Sequence, residues 1–585
     1  MLQPLSEKFE KRITDNMKIK QKLAVLVGLI FMAKAVSAQS DNVENINFWS
    51  DLPDNQLAQY LVDNMSDEEL LSQILMFGWA GATPSDLLNA WVTDRGLGSV
   101  KVFGWNTEDI KNVAKSVKQL QNEALSRRFQ IPLFVATDQE GGWIRHVKGE
   151  TSDTPGNMAI GASGYPEDAY LSGYYINKEI WALGINMNFA PTVDLYTNLD
   201  SSVIGPRSFG ADPDNAGILG VAFAKGSLDA GVIPTAKHFP GHGDTSLDSH
   251  GRLPEIEADM ETLMNRELVP FIDLINSGIP AIMSAHLSFP SIEPDGTPAS
   301  LSKKWLTDIL RGQLGYEGLI ITDDMMMNGA TMFAGSFQKA VTMAIEAGND
   351  IVISSTTSNL YDNMWVKNLD YMHSREGFKD RVKDACYRVL LAKLKYFKGD
   401  NAAPLFPDEN TIYDYIPNKD GQAFFTEQAC RSITVVRGKD KLPYKPEEGE
   451  KILIVGPFNA LYNEGRKRYP DCTTFHISYS LNSDESNLDE WNGVNLVWTA
   501  RKYDTIIINV YDNHSANIAK RLRNMGKKVI ILSILTPVPI LNDSFDFADI
   551  ILCGYSYSYY SFDALFGALN GEFVPEGTLP LRRQQ

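Results

Sequence analysis

The sequence predicts an α/β protein: an N-terminal (β/α)8 TIM-like barrel followed by a smaller C-terminal α/β sandwich domain. Three observations carry that prediction. The chain has 585 residues, past the length at which one core keeps growing, so two domains or more are expected. From about residue 60 to 355, eight short apolar, β-rich runs alternate with amphipathic helical patterns, which implies a parallel sheet covered on its outer face by helices. Polar residues close six of those runs, where such barrels place their chemistry.

Taken in order, residues 17–38 (MKIKQKLAVLVGLIFMAKAVSA) read as a secretory signal. Lys18, Lys20 and Lys22 supply the positive start, and Leu23 to Met32 an apolar run too short to span a bilayer. Val36 and Ala38 are small residues suited to cleavage before Gln39. The sixteen residues before Met17 do not fit a signal, so Met17 is expected to be the true start. Export to the periplasm or outside the cell follows. Nothing later is long and apolar enough for a transmembrane helix.

The barrel is expected over 45–400. Its strands are ILMFGW (74–79), GSVKVF (98–103), PLFVATD (132–138), INMNFAPTVD (185–194), VIPTAKH (232–238), PAIMSAH (280–286), GLIITDD (318–324) and DIVISS (350–355). Helices are expected at 107–127, 166–183, 214–229, 259–277 and 335–347, with another at 378–398 leaving the barrel. Residues 401–430 read as a linker. The C-terminal domain, 431–585, is expected to contain strands at 451–456, 504–512, 528–535 and 548–556, with a helix at 518–525.

Composition narrows the function. A net charge of −19 argues against a nucleic-acid surface, since phosphate would be repelled. The four cysteines, Cys386, Cys430, Cys472 and Cys553, have no metal-ligand spacing and read as free thiols.

The stretch KHFPGHGDTSLDSH, Lys237 to His250, is the richest in chemistry. His238 and His242 are spaced like a helical metal pair, but Pro240 and Gly241 between them preclude a helix, and no third ligand is placed convincingly. No metal or cofactor is expected. His242 reads as a loop-shaping residue. Asp248 lies two residues before His250 in a Gly-rich loop. It can fold back on the imidazole, fix its tautomer and raise its pKa, making His250 a proton donor near neutrality. Lys237 and His238 end a strand and would face the mouth as hydrogen-bond donors. Asp323 ends another apolar strand, where a carboxylate can act as nucleophile or charge stabiliser. Asp324 reads either as a supporting residue behind it or as a cap of the following helix. Asp138, before the turn at Gly141 and Gly142, can accept hydrogen bonds from vicinal sugar hydroxyls. Arg207 in IGPRSFG offers a rigid fork to oxygen acceptors.

These motifs, KHFPGHGDTSLDSH with DQEGG, IGPRSFG and ITDDMMMNGA in that order, resemble glycoside hydrolase family 3, specifically its β-N-acetylglucosaminidases. The resemblance covers about residues 60 to 400, and GALNGEFVPEGTLPL (567–581) is similar to the close of that family's second domain. It implies a retaining exo-acting glycosidase acting on terminal N-acetylglucosamine of peptidoglycan fragments or chitin-like oligosaccharides. Asp323 would attack the anomeric carbon, His250 paired with Asp248 would be the acid/base, and Asp138, Arg207, Lys237 and His238 would bind the sugar. The chain departs from the family after DQEGG: Trp143 and His146 stand where arginines are usual, and Arg145 is one position off. Trp143 reads as a packing residue or a sugar platform. The rival readings are a β-glucosidase or β-xylosidase of the same family, a non-catalytic sugar-binding protein on that scaffold, and a metal-dependent barrel hydrolase.

Overall fold

The computed structural model describes residues 46–201, 203–245, 253–478, 489–541 and 543–581. The expected signal at 17–38 lies outside them. So do Asp248 and His250.

Eight parallel strands form the first sheet: β1 (Leu75–Phe77), β2 (Ser99–Lys101), β3 (Phe134–Thr137), β6 (Met187–Asn188), β7 (Ile233–Phe239), β8 (Ala281–Ser284), β9 (Leu319–Thr322) and β10 (Val352–Ser354). The remaining two early strands, β4 (Gln139–Gly141) and β5 (Ile144–Arg145), pair antiparallel as a small hairpin beyond β3. The sheet order is β10-β1-β2-β3-β6-β7-β8-β9. Its ends meet through a parallel bridge between Ile321 and Ile351, where the Thr322 N–H donates to the Ile351 carbonyl at 3.0 Å. The nearly closed barrel thus uses all eight expected apolar runs. The eight strands themselves are buried throughout, as their continuous apolar character requires of strands packed on both faces.

The intervening helices begin where short polar side chains can satisfy free backbone N–H groups. Asp109 caps Ile110–Leu125, and Asp212 caps Pro213–Asp229, with a proline in its first turn. The helix expected over 259–277 is two, Met260–Asn265 and Val269–Asn276. The chain breaks at Arg266, whose side chain ties Asp244 and Glu267, and Pro270 opens the second piece.

Within 401–430 the chain is not all extended: Lys419–Ser432 is a helix with Phe424 and Phe425 buried. The second sheet follows, with β11 (Thr434–Arg437), β12 (Ile452–Gly456), β13 (Thr473–His476), β14 (Thr505–Val510), β15 (Lys528–Ser533) and β16 (Ile550–Cys553), ordered β11-β16-β15-β14-β12-β13. All neighbours are parallel except β11 against β16. The sequence pattern reveals four of these strands. The edge strands β11 and β13 are only partly buried and carry no apolar run.

Polar clamps join the two units. Arg431 grips the buried Asp168 with its closest contact at 2.6 Å, the Asn418 N–H donates to Glu179, and the Ala211 N–H donates to the Pro580 carbonyl. The loops after β15 and β16 reach the barrel as well. Ser556 donates to the Thr154 carbonyl, and Thr536 packs beside Gly205. The four cysteines are free thiols. Among the described residues, no helix is long and apolar enough to cross a membrane.

Candidate active site at the barrel mouth

Asp138, Lys237, His238 and Asp323 stand on β3, β7 and β9 at or just past their C-terminal ends, so parallel strands deliver all four to one face. Each is held there by backbone pairing. The Asp323 N–H donates to the Ser284 carbonyl, and Lys237 bridges Thr192. Asn188 at the end of β6 accepts the Gln139 N–H and donates back to the Gln139 carbonyl, both at 2.9 Å. That clamp fixes the turn that aims Asp138 and Glu140.

One side of the site is an alternating chain of buried charges. Lys101 Nζ lies 2.8 Å from Asp138 Oδ2, and Lys237 Nζ lies 2.6 Å from Asp138 Oδ1. Lys237 also meets Glu140 Oε1 at 2.7 Å. Glu140 in turn takes a two-pronged bond from Arg207, Nε at 3.0 Å and Nη2 at 2.8 Å. Burial by itself would push both carboxyls up. Lys101, Lys237 and His146 outweigh it at Asp138 and hold that group well below the usual carboxylate range. Arg207 and Lys237 do the same at Glu140, which falls to about 2. His146 goes the other way: burial, aided by the two lysines and opposed by Asp138, lowers it to about 4.

The next cluster surrounds Asp194. Its carboxylate meets His238 Nδ1 at 2.6 Å and accepts the His238 N–H at 3.2 Å and the His242 N–H at 2.7 Å. Burial opposes ionisation here too, but His238 and His242 lower Asp194 to about 2. Arg207 Nη2 lies 3.4 Å from His238 Nε2. His242 is buried, its two ring nitrogens have no hydrogen-bond partner among the described residues, and burial lowers it to about 4.

Asp323 sits opposite, partly exposed, with one oxygen receiving the Asp324 N–H at 2.7 Å. Burial raises its pKa, yet His238, His286 and that N–H prevail, and the group is lowered overall. It is therefore ionised at neutral pH. Asp324 supports the loop. Its Oδ1 accepts the N–H groups of Met326 and Ser355, and its carbonyl lies 3.1 Å from His286 Nε2. It does not cap the next helix, which starts at Asn328 after Met327.

The structure thus gathers Asp138, Arg207, Lys237, His238 and Asp323. Asp248 and His250 lie outside the described residues, and the described residues on either side of them are anchored. The His242 N–H is tied to Asp194, Gly243 lies so close that a Cβ would stand 1.4 Å from the Leu195 carbonyl oxygen, and the chain returns at Glu255 beside Ser288. Sequence reasoning missed Lys101 and Glu140. A lysine inside the otherwise apolar GSVKVF was the available signal for the first. Trp143 is half-buried with its ring edge near Gly205. Among the described residues, no group of three or more His, Cys, Asp or Glu side chains is arranged to hold a metal ion.

Comparison with known proteins gives the family. Residues 65–391 match the family profile described as the glycosyl hydrolase family 3 N terminal domain. A protein named beta-hexosaminidase A from Pseudoalteromonas piscicida is 31% identical over 383 residues, which are 62% of this chain and 62% of that protein. The chain therefore spans less than two thirds of that relative's length. A beta-hexosaminidase from Thiobacillus denitrificans is 34% identical over 299 residues, 50% of this chain and 81% of that one. A solved glycoside hydrolase family 3 beta-N-acetylglucosaminidase from a Paenibacillus species superposes with a TM-score of 0.77 at 27% identity, covering 88% of this chain and 99% of its own.

Proposed function

From the premise that this chain belongs to glycosyl hydrolase family 3, we propose that it is an exported, retaining exo-β-N-acetylglucosaminidase that removes terminal β-linked N-acetylglucosamine from peptidoglycan fragments or chitin-like oligosaccharides. The observation that carries the reading is the ionised Asp323 at the end of β9, facing a rigid wall of buried cations and carboxylates. Relatives named beta-hexosaminidase support the choice of sugar.

In this reaction Asp323 attacks the anomeric carbon and forms the glycosyl-enzyme. The departing glycosidic oxygen takes a proton from His250, oriented by Asp248. The imidazole then removes a proton from water, whose oxygen displaces Asp323 and leaves the product with retained configuration. Lys237 directs two of its three N–H bonds to Asp138 and Glu140, leaving the third for a sugar hydroxyl. Asp138 keeps a spare lone pair on each oxygen for hydroxyl donors. Arg207 spends its Nε and one Nη2 proton on Glu140, so it shapes the wall more than it grips the sugar.

The test is hydrolysis of nitrophenyl β-N-acetylglucosaminide and of the matching glucoside, with the anomeric form of the first product followed by NMR. The reading expects preference for the N-acetyl substrate, a β first product, and loss of turnover in Asp323→Asn. Faster glucoside cleavage, or an α first product, overturns it. Cell fractionation with N-terminal sequencing tests export, with Gln39 as the expected first residue.

A further inference from the structure

We propose that Asp194 is a positioning residue that locks the His238 imidazole in the form protonated on Nδ1, so that a bare Nε2 faces the bound sugar as a hydrogen-bond acceptor. The inference deepens the glycosidase reading above and rests on it for its functional consequence. The argument starts from what each neighbour can do. Asp194 is fully buried and already accepts two backbone N–H groups, from His238 and His242. An ionised carboxylate only accepts, so the 2.6 Å contact to His238 Nδ1 requires the proton to sit on that nitrogen. On the other side of the ring is Arg207 Nη2, at 3.4 Å from Nε2. A guanidinium only donates. Both neighbours therefore impose the same tautomer: Nδ1 protonated, Nε2 carrying a lone pair.

This reverses the role expected for His238 from sequence, where it stands beside Lys237 as a second donor. The adjacent pair is instead complementary, with Lys237 donating and His238 accepting. The 3.4 Å Arg207 contact is at the long limit of a hydrogen bond, so a sugar hydroxyl can displace it, giving its own hydrogen to the single Nε2 lone pair while its oxygen takes the Lys237 proton. A deoxy or fluoro sugar at that position can satisfy only part of the pair, so the pair selects for a hydroxyl. Asp194 reaches this result without touching substrate. Around the imidazole the other charged or titratable groups are Arg207, His242, His286 and Asp323, and among the described residues none shares Nδ1 with Asp194.

The substitution that isolates the effect is Asp194→Asn. The amide oxygen can keep the two backbone N–H bonds, but its NH2 then faces Nδ1. The favoured tautomer inverts, and the proton moves to Nε2, against the Arg207 donors. The experiment is ring-15N histidine labelling of the full chain at neutral pH, with His238 assigned by its loss in His238→Gln. The wild-type protein is expected to show Nδ1 protonated and Nε2 bare, and Asp194→Asn the inverse. With that inversion, kcat/KM on an aryl N-acetylglucosaminide should fall about 100-fold, the scale of losing an orienting partner of a functional histidine. A purely structural role for Asp194 would lower stability and leave the tautomer as it was. A wild-type His238 protonated on Nε2 overturns the proposal. So does a folded Asp194→Asn with an unchanged tautomer. If the variant does not fold, the wild-type spectrum alone decides. The ring measurement needs no substrate. An expected tautomer in a protein that cleaves no N-acetylglucosaminide would therefore fault the proposed function and leave this inference standing.

Discussion

Replacing Glu140 by glutamine should destabilise the barrel by roughly 3 kcal/mol at neutral pH, and that loss should shrink in acid. Glu140 is 1% exposed and receives three hydrogen bonds from two cations, Lys237 and Arg207. Its carboxyl lies at about 2 instead of 4.5. Burial acts against that displacement, and the two cations overcome it. At about 1.4 kcal/mol per pH unit, the displacement equates to roughly 3 kcal/mol of preference for the charged form in the folded chain. Because the folded value lies below the unfolded one, the contribution is complete above pH 4.5 and is lost as the pH falls towards about 2. Roughly half remains near pH 3. Glutamine keeps the shape and one acceptor but leaves Lys237 and Arg207 undercompensated in a buried place, the costly way to break such a cluster. Guanidinium unfolding followed by tryptophan fluorescence at neutral pH and near pH 3 gives both numbers. Asp194, also held at about 2, titrates in both proteins and cancels in the difference. A variant within about 1 kcal/mol of wild type at neutral pH would refute the reasoning, as would a gap that does not narrow in acid.

Three further outcomes follow from other contacts. Lys393 is buried, with the Gln73 side chain and the Gly98 carbonyl as its acceptors among the described residues, and burial lowers it to about 7. Its folded value lies below its unfolded one, so its charge costs stability below about pH 7, and the cost fades as pH rises towards the ordinary lysine value. Wild type should therefore gain stability relative to Lys393→Met between neutral and alkaline pH in thermal scans, and parallel curves would count against it. Arg431→Ala strands the buried Asp168 at the junction of the two units. It should cost about 3 kcal/mol, seen as a lower unfolding midpoint. Gly243→Ala drives a methyl into the Leu195 carbonyl. Activity should drop well below that of an alanine substitution at Gly377, where nothing lies within 4 Å of the added methyl and φ is negative, measured on the same substrate.

The barrel was legible because its strands are buried on both faces. Runs such as Leu319–Thr322 read as strands with no help from context, and the residue that ends each run marks the mouth. The second domain was half legible for the same reason. β14 and β15 are continuous apolar runs, whereas β13 is largely exposed and gives no pattern to read. At the candidate site, Asp138, Lys237, His238 and Asp323 stand out in the sequence because they end strands. Glu140 was invisible as a partner of Arg207, since a separation of 67 residues along the chain carries no sign of a contact that only the fold creates. The roles of individual protons were also hidden. Nothing in the letters KH shows that a carboxylate from β6's trailing loop lies under the imidazole.

The charges of the site bear on the proposed reaction as a set. Lys101, Lys237 and Arg207 are three cations, and Asp138, Glu140, Asp194 and Asp323 are four carboxylates, each with its pKa held below the ordinary value. Three cations meet two carboxylates in Asp138 and Glu140, so that wall keeps one positive charge in excess, and the negative charge without a direct lysine or arginine partner lies on Asp194 and Asp323. A transition state with oxocarbenium character is positive at the anomeric centre, and fixed negative charge placed there in advance stabilises it more than the neutral ground state. A cationic iminosugar shaped like N-acetylglucosamine should therefore bind about 10-fold or more tightly than its uncharged carbocyclic counterpart. That ratio should collapse in Asp323→Asn, where the hydroxyl contacts remain and the charge does not. Inhibition constants for the pair on wild type, and calorimetric affinities on the variant, measure it. Equal binding of the two compounds by wild type would show that the wall of cations, and not Asp323, governs the field at the anomeric carbon.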